Sequence, residues 1–205
     1  MKIAIIDYEG GNLASVAWAV QHLGHQPLVT RDPRELLSSD RVILPGVGAA
    51  GAAMAALRKA GLVEVLRGDL PRSGIPCLGI CIGIQLLFEH SEEDDVDTLG
   101  IFRGRVRRFA SGPSAKVPQI GWNQVRFREP AHPLLRGLGP EEYFYFVNSY
   151  YPDPQDPALA LGTTDYAGVR FASLIRGGSW TASQFHLEKS GRAGLALLDN
   201  FLTGA

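Results

Sequence analysis

A cysteine between two glycines, in the pentapeptide GICIG at 79–83, is the residue best placed for chemistry. The apolar residues 75–80 before it are typical of a buried strand, and residues 82–88 are typical of a helix. A glycine-x-nucleophile-x-glycine sequence between a strand and a helix is typical of a nucleophile elbow, here with cysteine instead of serine. Glycines remove Cβ atoms that would clash in so tight a turn. We therefore predict that Cys81 is a nucleophile, raised above the sheet edge at a helix N-terminus that favours the thiolate.

The alternative for Cys81 is a small core residue with glycine neighbours, because free cysteine is usually buried. The other cysteine, Cys77, lies inside the predicted strand without such neighbours, and we assign it to the core.

A thiol nucleophile needs a base, and one of the five histidines lies at the end of a predicted strand, in SQFHLE at 183–188. In an extended chain His186 and Glu188 point the same way, so the carboxylate can orient the imidazole. We predict that Cys81, His186 and Glu188 act as nucleophile, base and orienting group. The alternative is a polar strand end in which His-x-Glu occurs by chance.

A glycine-containing turn, PGVG at 45–48, follows another predicted strand. Glycines there let backbone N–H groups approach a ligand, as an oxyanion hole requires, so we expect Val47 and Gly48 beside the nucleophile. The N–H of Ile82 would be the second donor. Because open α/β sheets place their sites at the carboxyl ends of strands, the three motifs belong at one edge.

The elements that must position these motifs alternate in the first half of the chain. Strands are predicted at 2–6, 26–30, 41–44 and 75–80, with helices near 12–23, 49–60 and 82–88 and a short helix that begins at Pro33. The second half has strand signals at 105–109, 123–127, 142–147, 168–171 and 180–185 and a helix at 190–202. This order predicts an α/β fold, an open and mostly parallel flavodoxin-like sheet in three layers, with an antiparallel portion in the C-terminal half. We expect one domain over residues 1–205.

The composition excludes several classes of protein. Twenty basic and 21 acidic residues leave a net charge of −1, which argues against nucleic-acid binding. The most apolar stretch, residues 75–88, is too short to span a bilayer, and the N-terminal apolar run is too short for a signal peptide. Two cysteines make neither a disulfide framework nor a structural zinc site. We expect a cytoplasmic protein with no cofactor and no metal.

The segments LGICIGIQ at 78–85 and FHLEKS at 185–190 resemble the class I (triad-type) glutamine amidotransferases. The resemblance covers essentially the whole chain. It implies that Cys81 attacks the side-chain amide of glutamine and that His186 takes the thiol proton and later gives it to departing ammonia. Glu188 would orient His186, and water would hydrolyse the glutamyl thioester.

The same resemblance implies that Gln85, Glu93, Ser149 and Tyr150 help to hold glutamine, with Gly48 near the oxyanion. The alternative for Gln85 is an exposed helix residue. For Glu93 it is a solvated loop, because Glu93 belongs to an acidic run at 92–95.

Segments at 7–12, 45–48, 117–123 and 146–151 resemble the family members that pass ammonia to a cyclase subunit with a (β/α)₈ barrel, as a heterodimer. Asn12, Trp122 and Lys189 match docking positions in those members. Trp122 could equally be a core residue, and Lys189 a charge at a helix start. The family usually has proline at Leu187 and often histidine at Asn148. A thiol hydrolase of flavodoxin-like fold and a non-enzymatic subunit are the competing interpretations.

Overall fold

The computed structural model describes residues 1–10, 12–112 and 115–204. Gly11, which belongs to the 7–12 segment, lies outside the described residues. Strands and helices alternate in the first half, as predicted: β1 (Ile3–Ile6), α1 (Leu13–His22), β2 (Pro27–Thr30), α2 (Pro33–Leu37), β3 (Arg41–Leu44), α3 (Ala50–Lys59), α4 (Leu70–Ser73), β4 (Cys77–Ile80) and α5 (Ile82–Gln85).

Two helical segments differ from the sequence prediction. A π-helical turn at Val65–Asp69 leads into α4, and neither was predicted, because Gly68 and Pro71 interrupt any helical pattern there. The helix predicted at 82–88 is a single α-helical turn. Because the helix is so short, its dipole is small. A thiolate at Cys81 would therefore be stabilised by the free N–H groups of this turn and little by a helix dipole.

The second half is mostly strand, as predicted, with more strands than the sequence indicated. It contains β5 (His90–Ser91), β6 (Val96–Asp97), β7 (Gly104–Arg108), β8 (Gln119–Phe127), β9 (Glu141–Asn148), β10 (Tyr150–Pro154), β11 (Ala160–Tyr166), β12 (Val169–Gly177), β13 (Trp180–Ser183) and α6 (Gly191–Thr203). β5, β6, β10 and β11 were not predicted. β5 and β6 have two residues each, and prolines in β10 hide its pattern.

The central sheet has nine strands in the order β2-β1-β3-β4-β13-β12-β11-β8-β9. The first five are mutually parallel and the remaining pairs are antiparallel, which confirms the predicted fold class. A second sheet, β10-β7-β5-β6, lies beside it in the fold and was not predicted. The register pairs Ser183 with Ile80, the last residues of β13 and β4, so the segments that follow these two strands begin side by side.

Alternate residues of the parallel strands enter two cores on opposite faces of the sheet. Ala4 and Ile6 pack with Leu57 of α3, whereas Ile3 and Ile5 pack in the cluster that contains Leu198 of α6. Buried side chains on both faces explain why these strands are continuous apolar runs. In the described part of the chain, no helix has the length and apolar character needed to cross a membrane.

Candidate active site

The turn after β4 holds Cys81 in a backbone conformation that L residues rarely adopt, with φ +55° and ψ −106°. Its N–H donates to the carbonyl of Ser183 at 2.8 Å. A Cβ atom at Gly79 would lie 2.9 Å from the backbone of Gly83, and one at Gly83 would lie 2.5 Å from the carbonyl oxygen of Leu44. The steric reason predicted for both glycines is therefore confirmed.

The thiol of Cys81 is less accessible than the sequence suggested. Cys81 is only 7% exposed. Its sulfur, which the sequence predicted to be raised above the sheet edge, instead lines a cavity. Its Sγ lies 4.0 Å from the carbonyl oxygen of Val147 and 4.0 Å from Nε2 of Gln184. Cys77 is fully buried, as predicted, and burial raises the pKa of its thiol to about 12.

His186 and Glu188 are in contact, although not along a strand. β13 ends at Ser183, and His186 precedes a 3₁₀ turn at Leu187–Lys189 that brings the carboxylate back to the ring. His186 Nδ1 lies 2.8 Å from Glu188 Oε1, and the Glu188 side chain is only 1% exposed. With Nδ1 engaged by Glu188, Nε2 is the nitrogen left to exchange a proton with a thiol.

The imidazole of His186 is electrostatically unusual. Burial by itself lowers the pKa of His186, but Cys81 and Glu188 outweigh burial and raise this pKa to about 10. The ring therefore carries its proton at neutral pH, when an ordinary histidine would be mostly neutral. A positive charge beside Cys81 stabilises a negative sulfur, and the same proton is available to a leaving group.

The loop at 45–48 reaches the elbow because glycines let it do so. A Cβ atom at Gly46 would overlap the side chain of Ile82, and Gly48 has a φ of +96° that favours glycine. The buried hydroxyl of Tyr8 donates to the carbonyl of Pro45 at 3.0 Å and anchors the loop. Sequence reasoning missed this role of Tyr8, because the contact joins residues 37 positions apart.

A cavity of about 280 Å³ joins these elements. All seven residues predicted for glutamine and oxyanion binding line it together with Cys81 and His186; the seven are Val47, Gly48, Ile82, Gln85, Glu93, Ser149 and Tyr150. Pro118, Val147 and Asn148 complete the wall. Of these three, only Asn148 was singled out from the sequence.

Gln85 is buried in this wall, so the alternative of an exposed helix residue is wrong. Its Nε2 donates to the carbonyl of Tyr150 at 3.2 Å and to Oε1 of Gln184 at 3.0 Å. Asn148 Nδ2 donates to the same Tyr150 carbonyl at 2.9 Å. Gln85 Oε1 and Asn148 Oδ1 are buried acceptors without a partner among the residues that the structure describes. Buried acceptors without a partner are able to accept hydrogen bonds from the N–H groups of a ligand.

Glu93 joins the cavity to the start of α3. Its Oε2 accepts from the N–H of Ala50 at 2.9 Å, while Asp94 accepts from the N–H of Gly51 at 3.1 Å. Burial raises the pKa of Glu93. The interpretation of residues 92–95 as a solvated loop is therefore wrong for Glu93, because the run is a tight turn that caps a helix.

Of the three predicted docking residues, Lys189 lies in the turn that follows His186. Trp122 is 56% exposed, so the core alternative is wrong; its ring packs against Tyr145 at a centroid distance of 6.2 Å. A Cβ atom at Gly191 would lie 3.9 Å from the Trp122 ring. Lys189 is exposed, and α1, which follows Asn12, contacts the turn that contains Lys189.

Histidine, cysteine and acidic side chains do not gather into a metal-binding group anywhere within residues 1–10, 12–112 and 115–204. The groups that line the cavity include the thiol of Cys81, the imidazole of His186 and backbone amides.

Comparison with known sequences supports the resemblance. The family model described as glutamine amidotransferase class-I matches residues 4–205. Proteins named imidazole glycerol phosphate synthase subunit HisH are similar over nearly their full length. That of Thermosynechococcus vestitus is 46% identical over 98% of this chain and 95% of its own. That of Desulfovibrio desulfuricans is 50% identical over 97% of this chain and 93% of its own.

Comparison with solved structures supports the fold. A structure titled PurLQS from Thermotoga maritima matches with a TM-score of 0.78 at 16% identity, covering 99% of this chain and 98% of that chain. A structure titled glutamine amidotransferase matches with a TM-score of 0.75 at 19% identity and covers 99% of both chains.

Proposed function

The chain belongs to the class-I glutamine amidotransferase family, and we propose that it is the glutaminase subunit of an imidazole glycerol phosphate synthase. It hydrolyses glutamine to glutamate and ammonia and passes the ammonia to a cyclase subunit. That subunit makes imidazole glycerol phosphate and an aminoimidazole carboxamide ribotide in histidine biosynthesis. The observation that carries the proposal is the single cavity shared by Cys81, His186 and the predicted glutamine-binding residues.

The reaction begins at the sulfur of Cys81. The thiolate adds to the side-chain carboxamide carbon of glutamine, and the carbonyl becomes a tetrahedral oxyanion. His186 gives its proton to the amide nitrogen, the C–N bond breaks, and ammonia leaves a glutamyl thioester on Cys81. The raised pKa of His186 supports this step, because the proton is on the ring when the leaving group needs it.

Hydrolysis of the thioester reverses the proton transfer. His186, now neutral, takes a proton from water as the oxygen attacks the thioester carbon. The C–S bond then breaks, glutamate leaves, and the thiolate and imidazolium return. The buried carboxylate of Glu188, 2.8 Å from Nδ1, orients the ring and stabilises its positive form in both halves of the reaction.

Backbone amides are suited to hold the oxyanion. Ile82 is the first residue of α5, where a backbone N–H has no partner within the helix. Gly48 lines the same cavity from the loop at 45–48. Removing one donor of an oxyanion hole typically costs about 3–4 kcal/mol of transition-state stabilisation.

The amino-acid head of glutamine is held by other residues of the cavity wall. Gln85 and Glu93 line the cavity from α5 and from the turn that caps α3, and Ser149 and Tyr150 add main-chain groups from the junction of β9 and β10. The unpartnered Oε1 of Gln85 accepts from an N–H group of the substrate.

The partner in this proposal is a cyclase subunit with a (β/α)₈ barrel, bound as a heterodimer over Asn12, Trp122 and Lys189. An exposed apolar stripe on paired strands β8 and β9 extends that surface toward the cavity; it consists of Ile120, Trp122, Tyr143 and Val147. Exposed aromatic groups of this kind are typical of the centre of a protein interface. We further propose that residues 1–205 form one domain, since both cores lie on one sheet.

Reconstitution with the cyclase subunit and its ribotide ligand tests the proposal. We expect the isolated chain to hydrolyse glutamine slowly and the liganded complex to do so much faster. Cys81→Ala removes the activity, whereas Cys77→Ala, which changes the buried strand cysteine, retains it. Full glutamine hydrolysis by Cys81→Ala in the complex would overturn the mechanism. Failure of the cyclase subunit to bind or to stimulate would overturn the family branch but not the thiol chemistry.

A further inference from the structure

We propose that Gln184 is a positioning residue that links the charge on Cys81 to the orientation of Gln85. This inference rests on the proposed glutaminase function and adds a residue that the mechanism above does not use. Gln184 directly follows β13 and is fully buried between the two side chains. The register of β13 against β4 places it beside the elbow.

Gln184 faces a different partner with each atom of its amide. Its Nε2 points toward Cys81 Sγ at 4.0 Å, and its Oε1 accepts from Gln85 Nε2 at 3.0 Å. Gln85 Nε2 also donates to the carbonyl oxygen of Tyr150 at 3.2 Å. The sulfur of Cys81, the side-chain amides of Gln184 and Gln85 and the carbonyl of Tyr150 thus form a continuous series of polar contacts.

The polarity of this series of contacts is determined at both ends. Tyr150 presents a backbone carbonyl, which only accepts, so Gln85 must turn its NH₂ group toward it. A thiolate at Cys81 also only accepts, so Gln184 must turn its NH₂ group toward the sulfur. Rotating either amide by half a turn would set two oxygens, or oxygen and a negative sulfur, against each other in a buried place.

The consequence reaches the substrate. With its NH₂ group engaged twice, Gln85 has its Oε1 left as a buried acceptor on the cavity wall. Gln184 therefore keeps this acceptor aimed at glutamine and at the same time adds a donor to the thiolate. Its loss weakens glutamine binding through Gln85 and removes one donor from the thiolate.

Gln184→Met tests both effects, because methionine has a similar length and no amide. In the complex with the cyclase subunit we expect the KM for glutamine to rise about two- to tenfold, as for loss of one hydrogen bond, with a smaller change in kcat. The rate of Cys81 alkylation by iodoacetamide should keep its plateau but reach it at higher pH. The thiol of Cys77 is fully buried and should not react, and Cys77→Ala as the background removes any signal from this residue.

A double-mutant cycle separates positioning from simple loss of structure. If Gln184 acts through Gln85, Gln184→Met should change KM by less than about twofold in a Gln85→Leu background. Asn200→Leu is the matched control, since Asn200 is a buried amide in α6 that donates to the carbonyls of Leu134 and Arg136 at 3.0 and 2.8 Å. It should lower thermal stability but leave KM and the alkylation profile unchanged.

Three results would overturn the inference: an unchanged KM in Gln184→Met, an equal rise in KM with and without Gln85, or an unchanged alkylation profile. If Gln184→Met does not fold, Gln184→Glu keeps the acceptor for Gln85 and replaces the donor toward sulfur. It should slow alkylation while preserving KM better, and the reverse pattern refutes the proposal. If Cys81 of the wild-type chain is alkylated but the chain hydrolyses no glutamine, the proposed function is wrong. Alkylation of the Gln184 variants would still test the contact between Gln184 and the sulfur of Cys81.

Discussion

Replacing Glu188 by glutamine removes one negative charge from the site and leaves its shape intact. The Glu188 carboxylate is buried, with Oε1 2.8 Å from His186 Nδ1. Its other oxygen has no hydrogen-bond partner among the described residues, so the new NH₂ group would also lack one. Glu188→Gln keeps an acceptor for Nδ1–H, and the part of its effect that depends on pH therefore reports the charge.

The raised pKa of His186 sets the magnitude. Moving this pKa from 6.5 to about 10 corresponds to roughly 5 kcal/mol in favour of the imidazolium. Cys81 and Glu188 are the two sources of the increase. A hydrogen bond to a charged group is typically worth up to about 3 kcal/mol, so we take about 2–3 kcal/mol as the contribution of the buried Glu188 carboxylate. If that stabilisation is present in the transition state, kcat for glutamine hydrolysis falls about 30- to 150-fold.

The same charge makes folding stability depend on pH. The pKa of His186 is higher in the folded than in the unfolded chain, so its contribution is fully present below pH 6.5 and is lost as pH rises toward about 10. Urea unfolding of wild type and Glu188→Gln across this range measures it. We expect the difference in unfolding free energy to be largest near pH 6 and to shrink as pH rises.

Two results would refute this reasoning. A difference in unfolding free energy that stays constant from pH 6 to 10 would mean that Glu188 does not stabilise the charged form of His186. A kcat within about threefold of wild type would mean that less than about 1 kcal/mol of this stabilisation is used in the reaction. Cys81→Ala is the control, because it removes the other negative partner and should also flatten the pH dependence.

Three further predictions follow from the packing. Gly83→Ala sets a methyl group against the carbonyl of Leu44, and should cost about 1–3 kcal/mol of unfolding free energy in urea titrations; an unchanged value contradicts the steric account. Trp122→Ala should raise the Kd for the cyclase subunit about 30-fold by calorimetry, and an unchanged Kd removes Trp122 from the interface. Ser190→Ala removes a buried hydroxyl that donates to the His186 carbonyl, and should cost about 1–3 kcal/mol; equal thermal stability refutes this.

Some long-range features were invisible in the local sequence. Glu93 looked like one acid in a solvated run, yet it caps α3 from 43 residues away. Leu187 lies between His186 and Glu188, at a position where the family usually has proline. The structure buries Leu187 completely, so packing of its side chain holds the turn in place of a rigid ring.

The sequence by itself determined the elbow around Cys81, because much of the constraint is local: a Cβ atom at Gly79 would clash with the backbone of Gly83, four residues later. It also determined the pair His186–Glu188, which only one turn separates. Only the tertiary structure decided that β13 lies parallel beside β4, which brings His186 and Gln184 to Cys81. That pairing joins residues about 100 positions apart, and the buried polar contacts it creates follow from which groups satisfy one another in space, not from any spacing along the chain.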